Sequence, residues 1–348
     1  MSKPFIAGWD IGGAHLKAVL LDGKGEIVNI LQLPCQLWKG LNQLESAVKD
    51  ALTAFKIAPS EALHAVTMTG ELVDLFTSRH DGVINISNLA EKLLGKETLF
   101  YAANEGFVTL SRVSGAAASI ASVNWHASAS ALAMHVQDAL LVDIGSTTTD
   151  IIAIGAGKVK NSSFSDASRM QDDSLVYTGV VRTPVMALAQ KLPFEGAESN
   201  VAAENFATMA DVYRLTGELL PESDMAETSD GKGKTEWESA RRMARMIGYD
   251  AEDKPIQTWK NLADTCRTLQ LNQIKTAMLK HLKPGVPVIG AGAGSFLVKA
   301  LAEELGHDFK YVCKPISMSL PGRADSCLEH DLEVCLPAYA VAYLAMKQ

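Results

Sequence analysis

The sequence predicts an α/β protein built on a duplicated strand–loop–strand unit. An apolar strand ends in Asp10-Ile11-Gly12-Gly13 and leads to a second strand and a turn at 22–25, and the same order returns with Asp143-Ile144-Gly145-Ser146 and a turn at 155–158. The 26 glycines and an aromatic content of only 6% are typical of tight strand–helix turns. A chain of 348 residues is longer than a single hydrophobic core normally supports, which favours two domains.

The strands and helices of the first half follow from apolar periodicity. Residues 41–55 carry apolar side chains at helical spacing, and short apolar runs bounded by turns predict strands. A strand at 65–69 ends at Gly70-Glu71, after which a helix is expected to begin within 72–76. A region of small residues at 114–134 predicts a helix. The other strands of this half are expected at 5–10, 15–22, 26–33, 98–101 and 106–110.

The second half begins with strands at 139–143 and 149–155, and then becomes mostly helical and charged from 166 to 282. The clearest helices there are expected at 207–215, 237–247 and 259–282, with a loop at 222–234. A strand and glycine turn at 286–294, a helix at 295–305 and a last helix at 336–346 complete the chain. The domains are therefore expected at 1–135 and 136–335, with a helical insertion at 165–282, and residues 336–348 pack back on the first domain.

Composition excludes several classes of protein. With 32 Lys+Arg against 40 Asp+Glu the net charge is −8, which argues against a general nucleic-acid binder, and 47% hydrophobic residues exclude a disordered chain. No long uncharged apolar run and no signal-peptide pattern occur, so we expect no membrane segment and a cytoplasmic protein. The cysteines show no CxxC spacing, which predicts free thiols rather than a zinc site; they are Cys35, Cys266, Cys313, Cys327 and Cys335.

Both Asp-x-Gly loops can bind phosphate. Each places a carboxylate at a strand end beside glycines, whose N–H groups can cradle phosphate oxygens, while the carboxylates of Asp10 and Asp143 can hold Mg²⁺ through water. One such loop alone is a common turn, but two equivalent copies indicate a site. The candidate phosphate-binding residues are Gly12, Gly13, His15 and Lys17 in the first loop, and Gly145, Ser146, Thr147 and Thr148 in the second.

A third glycine turn, Gly290, Gly292 and Gly294, follows a strand and opens a helix. It lets a ligand approach the backbone, or it serves only for close strand–helix packing. Ser295 stands where a dinucleotide-binding fingerprint needs its third glycine, and no P-loop pattern occurs.

Three further side chains are candidates. Glu71 is either a general base or an ordinary exposed glutamate at a helix start. Arg182, in the polar stretch 172–184, could clamp a carboxylate or phosphate, or form a surface ion pair. Tyr177 lies in the same stretch and is a candidate substrate contact. The histidines show no metal-binding spacing.

These motifs resemble the acetate and sugar kinase/Hsp70/actin superfamily, on the two Asp-x-Gly loops, the 290–294 turn and the C-terminal helix. Within it, several segments are similar to the hydantoinase-like branch linked to methanopterin C1 transfer and to methanofuran or methylofuran biosynthesis. These segments are 142–150, 175–184, 211–215, 240–246 and Asn124-Trp125. The resemblance implies duplicated actin-like (ribonuclease H-like) domains with a central cleft and helical insertions.

The same resemblance implies a transferase. It would condense an aminomethyl-furanmethanol diphosphate with the phenol oxygen of a tyramine- or tyrosine-type glutamyl acceptor and release diphosphate. Mg²⁺ would lie near Asp10 and Asp143, with Glu71 or an Asp as the base. ATP is compatible with this activity but not required, no nucleic-acid or membrane partner is implied, and a homo-oligomer is left open.

Two alternatives stay open on sequence alone. An ATP-dependent small-molecule kinase or hydantoinase-type ATPase would use the turn at 290–294 against adenosine. A non-catalytic nucleotide-sensing scaffold of the same fold is the other alternative.

Overall fold

The computed structural model describes residues 3–317 and 326–348. Two compact units form: the first is Met1–Ala139, Ile152–Arg169 and Tyr311–Gln348, and the second is Leu140–Ile151 and Met170–Lys310. None of the four cysteines with described side chains forms a disulfide, whereas the side chain of Cys327 lies outside the described residues.

Within the described residues, two sheets of six strands and a separate hairpin make up the β structure. The strands of the first sheet are β1 (Phe5–Ile11), β2 (His15–Asp22), β3 (Ile27–Pro34), β4 (Ala62–Met68), β5 (Leu99–Tyr101) and β6 (Phe107–Val108). Those of the second sheet and the hairpin are β7 (Ala139–Ile144), β8 (Thr149–Gly155), β9 (Lys158–Val159), β10 (Leu175–Val176), β11 (Lys191–Phe194), β12 (Ala197–Asn200), β13 (Val288–Ala291) and β14 (Phe309–Tyr311).

The two sheets repeat one strand order. The first runs β3-β2-β1-β4-β5, with β6 at its edge, and the second runs β10-β8-β7-β13-β14. The central pairs β1–β4 and β7–β13 are parallel, whereas β2–β3 and β8–β10 are antiparallel. The predicted α/β class and its duplication are therefore confirmed, and each Asp-x-Gly loop follows the equivalent strand of its sheet.

The described residues also form helices in both units. They are α1 (Leu41–Phe55), α2 (Arg79–Leu94), α3 (Leu110–Ile120), α4 (Asn124–Ala133), α5 (Asp166–Gln171), α6 (Met209–Thr216), α7 (Glu236–Arg245), α8 (Ile256–His281), α9 (Ser295–Glu304), α10 (Cys313–Ser317), α11 (Ser326–Val334) and α12 (Leu336–Met346). No helix of the described ranges has both the length and the apolar character needed to cross a bilayer.

Some predicted elements are wrong in a way that bears on the site. The helix expected within 72–76 is a single 3₁₀ turn, Gly70–Leu72, and α2 begins only at Arg79, because the Ser78 side chain accepts from the Asp81 N–H and caps the helix there. The helix expected over 114–134 is two helices, α3 and α4, separated at Ser122, whose φ is 54°. The expected strand at 106–110 shortens to β6 because Leu110 already begins α3.

The last helix, α12, packs within the first unit against β1. A Cβ added at Gly8 would overlap the carbonyl oxygen of Ala338 and lie 2.9 Å from the Ala342 Cβ. Strand and helix therefore approach so closely that only glycine fits in β1 at this point.

Candidate functional site

The first Asp-x-Gly loop begins at a buried carboxylate. Asp10, near the end of β1, is 3% exposed, and the Lys17 ammonium lies 3.7 Å from its Oδ2. The two residues are cross-strand neighbours, because Asp10 pairs with Lys17 in the β1–β2 register. The Gly12 N–H donates to the His15 carbonyl at 3.0 Å and closes the loop into a tight turn.

The second loop repeats this turn. The Gly145 N–H donates to the Thr148 carbonyl at 2.9 Å, as the Gly12 N–H does to the His15 carbonyl. The duplication thus extends to individual hydrogen bonds. In both loops the N–H of the Asp-x-Gly glycine is committed to the turn, so donors to a bound anion must come from the residues that follow it.

Glu71 lies beside the first loop because β4 runs parallel to β1. The Thr69 N–H donates to the Ile11 carbonyl at 3.0 Å, just beyond the strand pairing. A Cβ added at Gly70 would lie 3.1 Å from the Ile11 oxygen and 3.2 Å from the Gly12 oxygen. The carboxyl ends of β1 and β4 therefore bring Asp10 and the Gly70–Leu72 turn to one edge of the sheet.

Glu71 is not the exposed helix-start glutamate that one interpretation of the sequence allowed. It is 1% exposed, and a Cβ at Gly82 of α2 would lie 2.6 to 2.8 Å from its main chain and Cβ. Burial raises the pKa of Glu71 to about 7, although the hydrogen bond from Ser122 opposes the shift. Ser122 Oγ donates to Glu71 Oε1 at 2.6 Å, while Oε2 has no hydrogen-bond partner within the described residues. A carboxyl with a pKa near neutrality is suited to general acid–base chemistry.

In the second unit, the third glycine turn packs against Asp143. Gly292 has a φ of 77°, and a Cβ there would overlap Asp143 Oδ1. The Gly294 N–H donates to the Ile144 carbonyl at 2.8 Å. At the turn 290–294 the half-buried Asp143 carboxylate therefore lies directly against the backbone. A side chain at Gly292 would overlap this carboxylate.

The segment after β10 braces the second loop. A Cβ at Gly179 would lie 2.5 Å from the Gly145 oxygen and the Thr147 nitrogen. Buried Gln270, on α8, donates through Nε2 to Thr178 Oγ1 at 2.7 Å and to the Gly179 carbonyl at 3.0 Å. In turn, Gln270 Oε1 accepts a hydrogen bond from the Tyr213 hydroxyl of α6. Sequence reasoning missed Gln270, and it noted Tyr213 only within the 211–215 resemblance segment, because nothing in their local pattern indicates a contact with residues so distant in the chain.

The predicted substrate contacts lie on this same segment. Tyr177 and Arg182 are both exposed, and the Arg182 N–H donates to the Ser146 carbonyl at 2.8 Å. The Ser146 hydroxyl is buried and has no hydrogen-bond partner among the described residues. Within that part of the chain, no three His, Cys, Asp or Glu side chains cluster as a metal site. Asp10 belongs to the first unit and Asp143 to the second, and their carboxylate oxygens are the ligand type that Mg²⁺ prefers.

Known proteins place the chain in a family. A model of the hydantoinase/oxoprolinase family matches residues 62–329. The chain is 29% identical, over 99% of its length and 99% of the relative's, to "(4-{4-[2-(gamma-L-glutamylamino)ethyl]phenoxymethyl}furan-2-yl)methanamine synthase" of Methanocaldococcus jannaschii. A protein of the same name from Methanococcus vannielii is 27% identical over 53% of this chain and 90% of its own length.

Among solved structures, nucleotide-free acetone carboxylase has a similar fold. It superimposes with a TM-score of 0.55 at 10% identity, over 87% of this chain and 67% of that chain. The duplicated actin-like α/β class implied by the sequence resemblance is confirmed. Since the family model spans most of the sequence, the chain belongs to the hydantoinase/oxoprolinase family.

Proposed function

We propose that the protein is a transferase of furan-cofactor biosynthesis. It condenses an aminomethyl-furanmethanol diphosphate with the phenol oxygen of a tyramine- or tyrosine-type glutamyl acceptor and releases diphosphate. The observation that carries this proposal is similarity over 99% of both chains to a synthase whose named product is a phenoxymethyl-furan methanamine. That product contains the ether bond which such a condensation would form.

The reaction needs one bond formed and one broken. The phenol oxygen forms a bond to the furan CH₂ carbon, and the bond from that carbon to the diphosphate oxygen breaks, its electron pair leaving with diphosphate. The phenol proton passes to the Glu71 carboxylate, whose pKa of about 7 leaves a large ionised fraction at neutral pH. The furan ring stabilises positive charge at the CH₂ carbon as the leaving group departs.

The loops supply the anion-binding groups. We assign the donors to Gly13 and Ser146, since the N–H groups of Gly12 and Gly145 close the turns. Lys17 and the hydroxyls of Thr147 and Thr148 complete the proposed phosphate contacts. Asp10 and Asp143 would hold Mg²⁺, which neutralises charge on the leaving diphosphate when it is bound.

The test is turnover without ATP. Wild-type protein, Mg²⁺, the furan diphosphate and γ-glutamyltyramine should yield diphosphate and the ether product, measured by a phosphate-coupled assay and mass spectrometry. Asp10→Ala and Asp143→Ala should each lower kcat at least about 100-fold, because each removes a carboxylate that would hold Mg²⁺ at the leaving diphosphate. The exposed Asp74→Ala serves as a control and should match wild type. Absence of diphosphate release by the wild type would contradict the proposal.

One observation favours a second candidate, an ATP-dependent enzyme of the same fold. The glycine turn at 290–294 leaves bare backbone beside Asp143, an arrangement that also suits a nucleotide. Acceptor-dependent ATP hydrolysis in the same assay, with no turnover of the furan diphosphate, would favour this candidate.

A further inference from the structure

Among the buried side-chain atoms of the first unit that have no hydrogen-bond partner within the described residues are Glu71 Oε2 and Trp125 Nε1, on side chains that are 1% and 2% exposed. An unsatisfied buried polar atom costs about 1–3 kcal/mol, so native structures rarely keep one without a reason. Bound ligand atoms that donate to Glu71 Oε2 and accept from Trp125 Nε1 would satisfy both.

Ser122 holds the Glu71 carboxyl from the other side. Its φ of 54° lies in the left-handed region, which costs a non-glycine residue about 1–2 kcal/mol. This conformation interrupts the helical structure between α3 and α4. It places the Ser122 hydroxyl 2.6 Å from Glu71 Oε1. The hydrogen bond fixes one carboxyl oxygen and leaves the other to a ligand.

An aromatic cluster follows directly at the start of α4. The centroid of the Trp125 ring lies 5.7 Å from that of Phe164 and 5.4 Å from that of His126. The Arg169 guanidinium carbon lies 4.1 Å from the centroid of the Trp125 ring. The His126 Nδ1 is 2.8 Å from the Tyr101 hydroxyl. These rings form an apolar wall of the kind that packs against an aromatic ligand.

Helix α5 connects the carboxyl to the wall through charged side chains. Arg79 Nη2, at the start of α2, donates to Asp166 Oδ2 of α5 at 2.8 Å, and both charges act on the pKa of Glu71. Asp166 is three residues from Arg169, which covers Trp125. Glu71 is 1% exposed, so a ligand would bind by displacing part of this packing.

We propose that Glu71, Ser122 and Trp125 form the site that binds the phenol group of the acceptor. This inference rests on the proposed function. The phenol hydroxyl donates to Glu71 Oε2, its ring packs on the wall that includes Trp125, and Ser122 is a positioning residue. As the phenol oxygen bonds to the furan CH₂ carbon, its proton moves to Glu71 Oε2 and the electron pair of the broken C–O bond leaves with diphosphate.

Binding of the acceptor alone tests the site. Calorimetry with γ-glutamyltyramine and with its O-methyl ether, without any diphosphate, compares a ligand that donates a hydrogen bond with one that cannot. The wild type should prefer the phenol about tenfold. Glu71→Leu should remove the preference, and Ser122→Ala should reduce it if the leucine variant does not fold. Equal affinities in the wild type, or a preference kept in the folded Glu71→Leu variant, would overturn the site.

A matched pair of serines tests positioning in the full reaction. Ser119, on α3, also donates to a glutamate at 2.6 Å, but its partner Glu105 is exposed. Ser122→Ala should lower kcat about 10- to 100-fold and leave the KM of the furan diphosphate unchanged, whereas Ser119→Ala should match wild type.

The two proposals fail in different ways. If the wild type releases diphosphate while the Ser122 and Ser119 variants behave alike, the acceptor site is wrong and the function stands. If the wild type releases none, the function fails, and the calorimetric comparison of phenol with ether still decides the site.

Discussion

At the scale of single residues, the chemistry of the first unit depends on a carboxyl that folding has made less acidic. Glu71 is buried by the close approach of Gly82 in α2, and Ser122 supplies its hydrogen bond. Desolvation outweighs that hydrogen bond, so the pKa rises to about 7. A phenol is a much weaker acid than an ordinary carboxylic acid. Raising the pKa of Glu71 therefore brings it closer to the pKa of the phenol and makes the proton transfer less unfavourable.

The raised pKa predicts how stability depends on pH. The unfolded chain ionises Glu71 near its ordinary pKa of 4.5, whereas the folded chain resists ionisation up to about 7. The free energy of unfolding is therefore unaffected by this group below about pH 4.5 and falls as pH rises to about 7, by about 3 kcal/mol in total. Glu71→Gln should lack this fall. Urea unfolding of both proteins should show that the free energy of unfolding of the variant, relative to that of the wild type, is higher at pH 8 than at pH 4.5. The same difference in free energy at both pH values would contradict the burial argument.

At the scale of elements, the second loop is positioned by helices distant from it in the chain. The Tyr213 hydroxyl of α6 and the Gln270 amide of α8 form a buried chain of hydrogen bonds to Thr178 and Gly179, which pack on the loop at Gly145. The helical insertion thus contributes directly to the proposed diphosphate site.

Removing this brace should weaken both the unit and the loop. Gln270→Leu leaves the Thr178 hydroxyl, the Gly179 carbonyl and the Tyr213 hydroxyl without their amide partner, which should lower the free energy of unfolding by about 3 kcal/mol. Binding of inorganic diphosphate, measured by calorimetry, should weaken about tenfold because the loop loses support. The control Gln257→Leu, at an exposed position of the same helix, should change neither. Equal behaviour of the two variants would show that Gln270 does not brace the loop.

At the scale of the whole molecule, the first unit closes through contacts between the two ends of the sequence. Gly8 in β1 lies against Ala338 and Ala342 of α12, so the central strand of the first sheet depends on the last helix. The Asp10 loop is carried by that strand and therefore depends on the same contact.

A methyl group at this contact should be costly. Gly8→Ala would force β1 and α12 apart, because its Cβ would overlap a backbone oxygen that cannot rotate away. We expect a loss of about 3 kcal/mol or more in the free energy of unfolding. Gly23→Ala, where the nearest atom to an added Cβ is the Pro4 oxygen at 3.7 Å, should be nearly neutral in the same urea titration. A Gly8 variant as stable as the Gly23 variant would contradict the packing argument.

Elements set by local periodicity could be predicted from the sequence. The bounds of β2, β8, α1 and α12 agree with expectation, because the spacing of their apolar residues and their flanking turns specify them locally. The repeat of the Asp-x-Gly loop also indicated the repeated sheet order, since each loop marks the end of an equivalent strand.

Features set by distant contacts could not be predicted. The hairpin β11–β12 lies inside a stretch expected to be helical, and its strands carry Pro193 and Glu198, which local propensity does not favour in strands. The break at Ser122 requires a left-handed serine, and a sequence of small residues gives no reason to expect one. The hydrogen bond from Ser122 to Glu71 joins residues from separate elements, so no local pattern encodes it.

The contact between Gly8 and α12 also orders events during synthesis of the chain. A ribosome makes β1 first, but the helix that packs on it emerges only after residue 342 has been added. The second unit, Leu140–Ile151 and Met170–Lys310, has all of its residues before then. The second unit can fold while translation continues, whereas the apolar face of β1 stays exposed to solvent until α12 has been synthesised. Nascent chains stalled shortly before residue 336 should therefore expose a chaperone-binding segment in the first unit, which release of the full chain would bury.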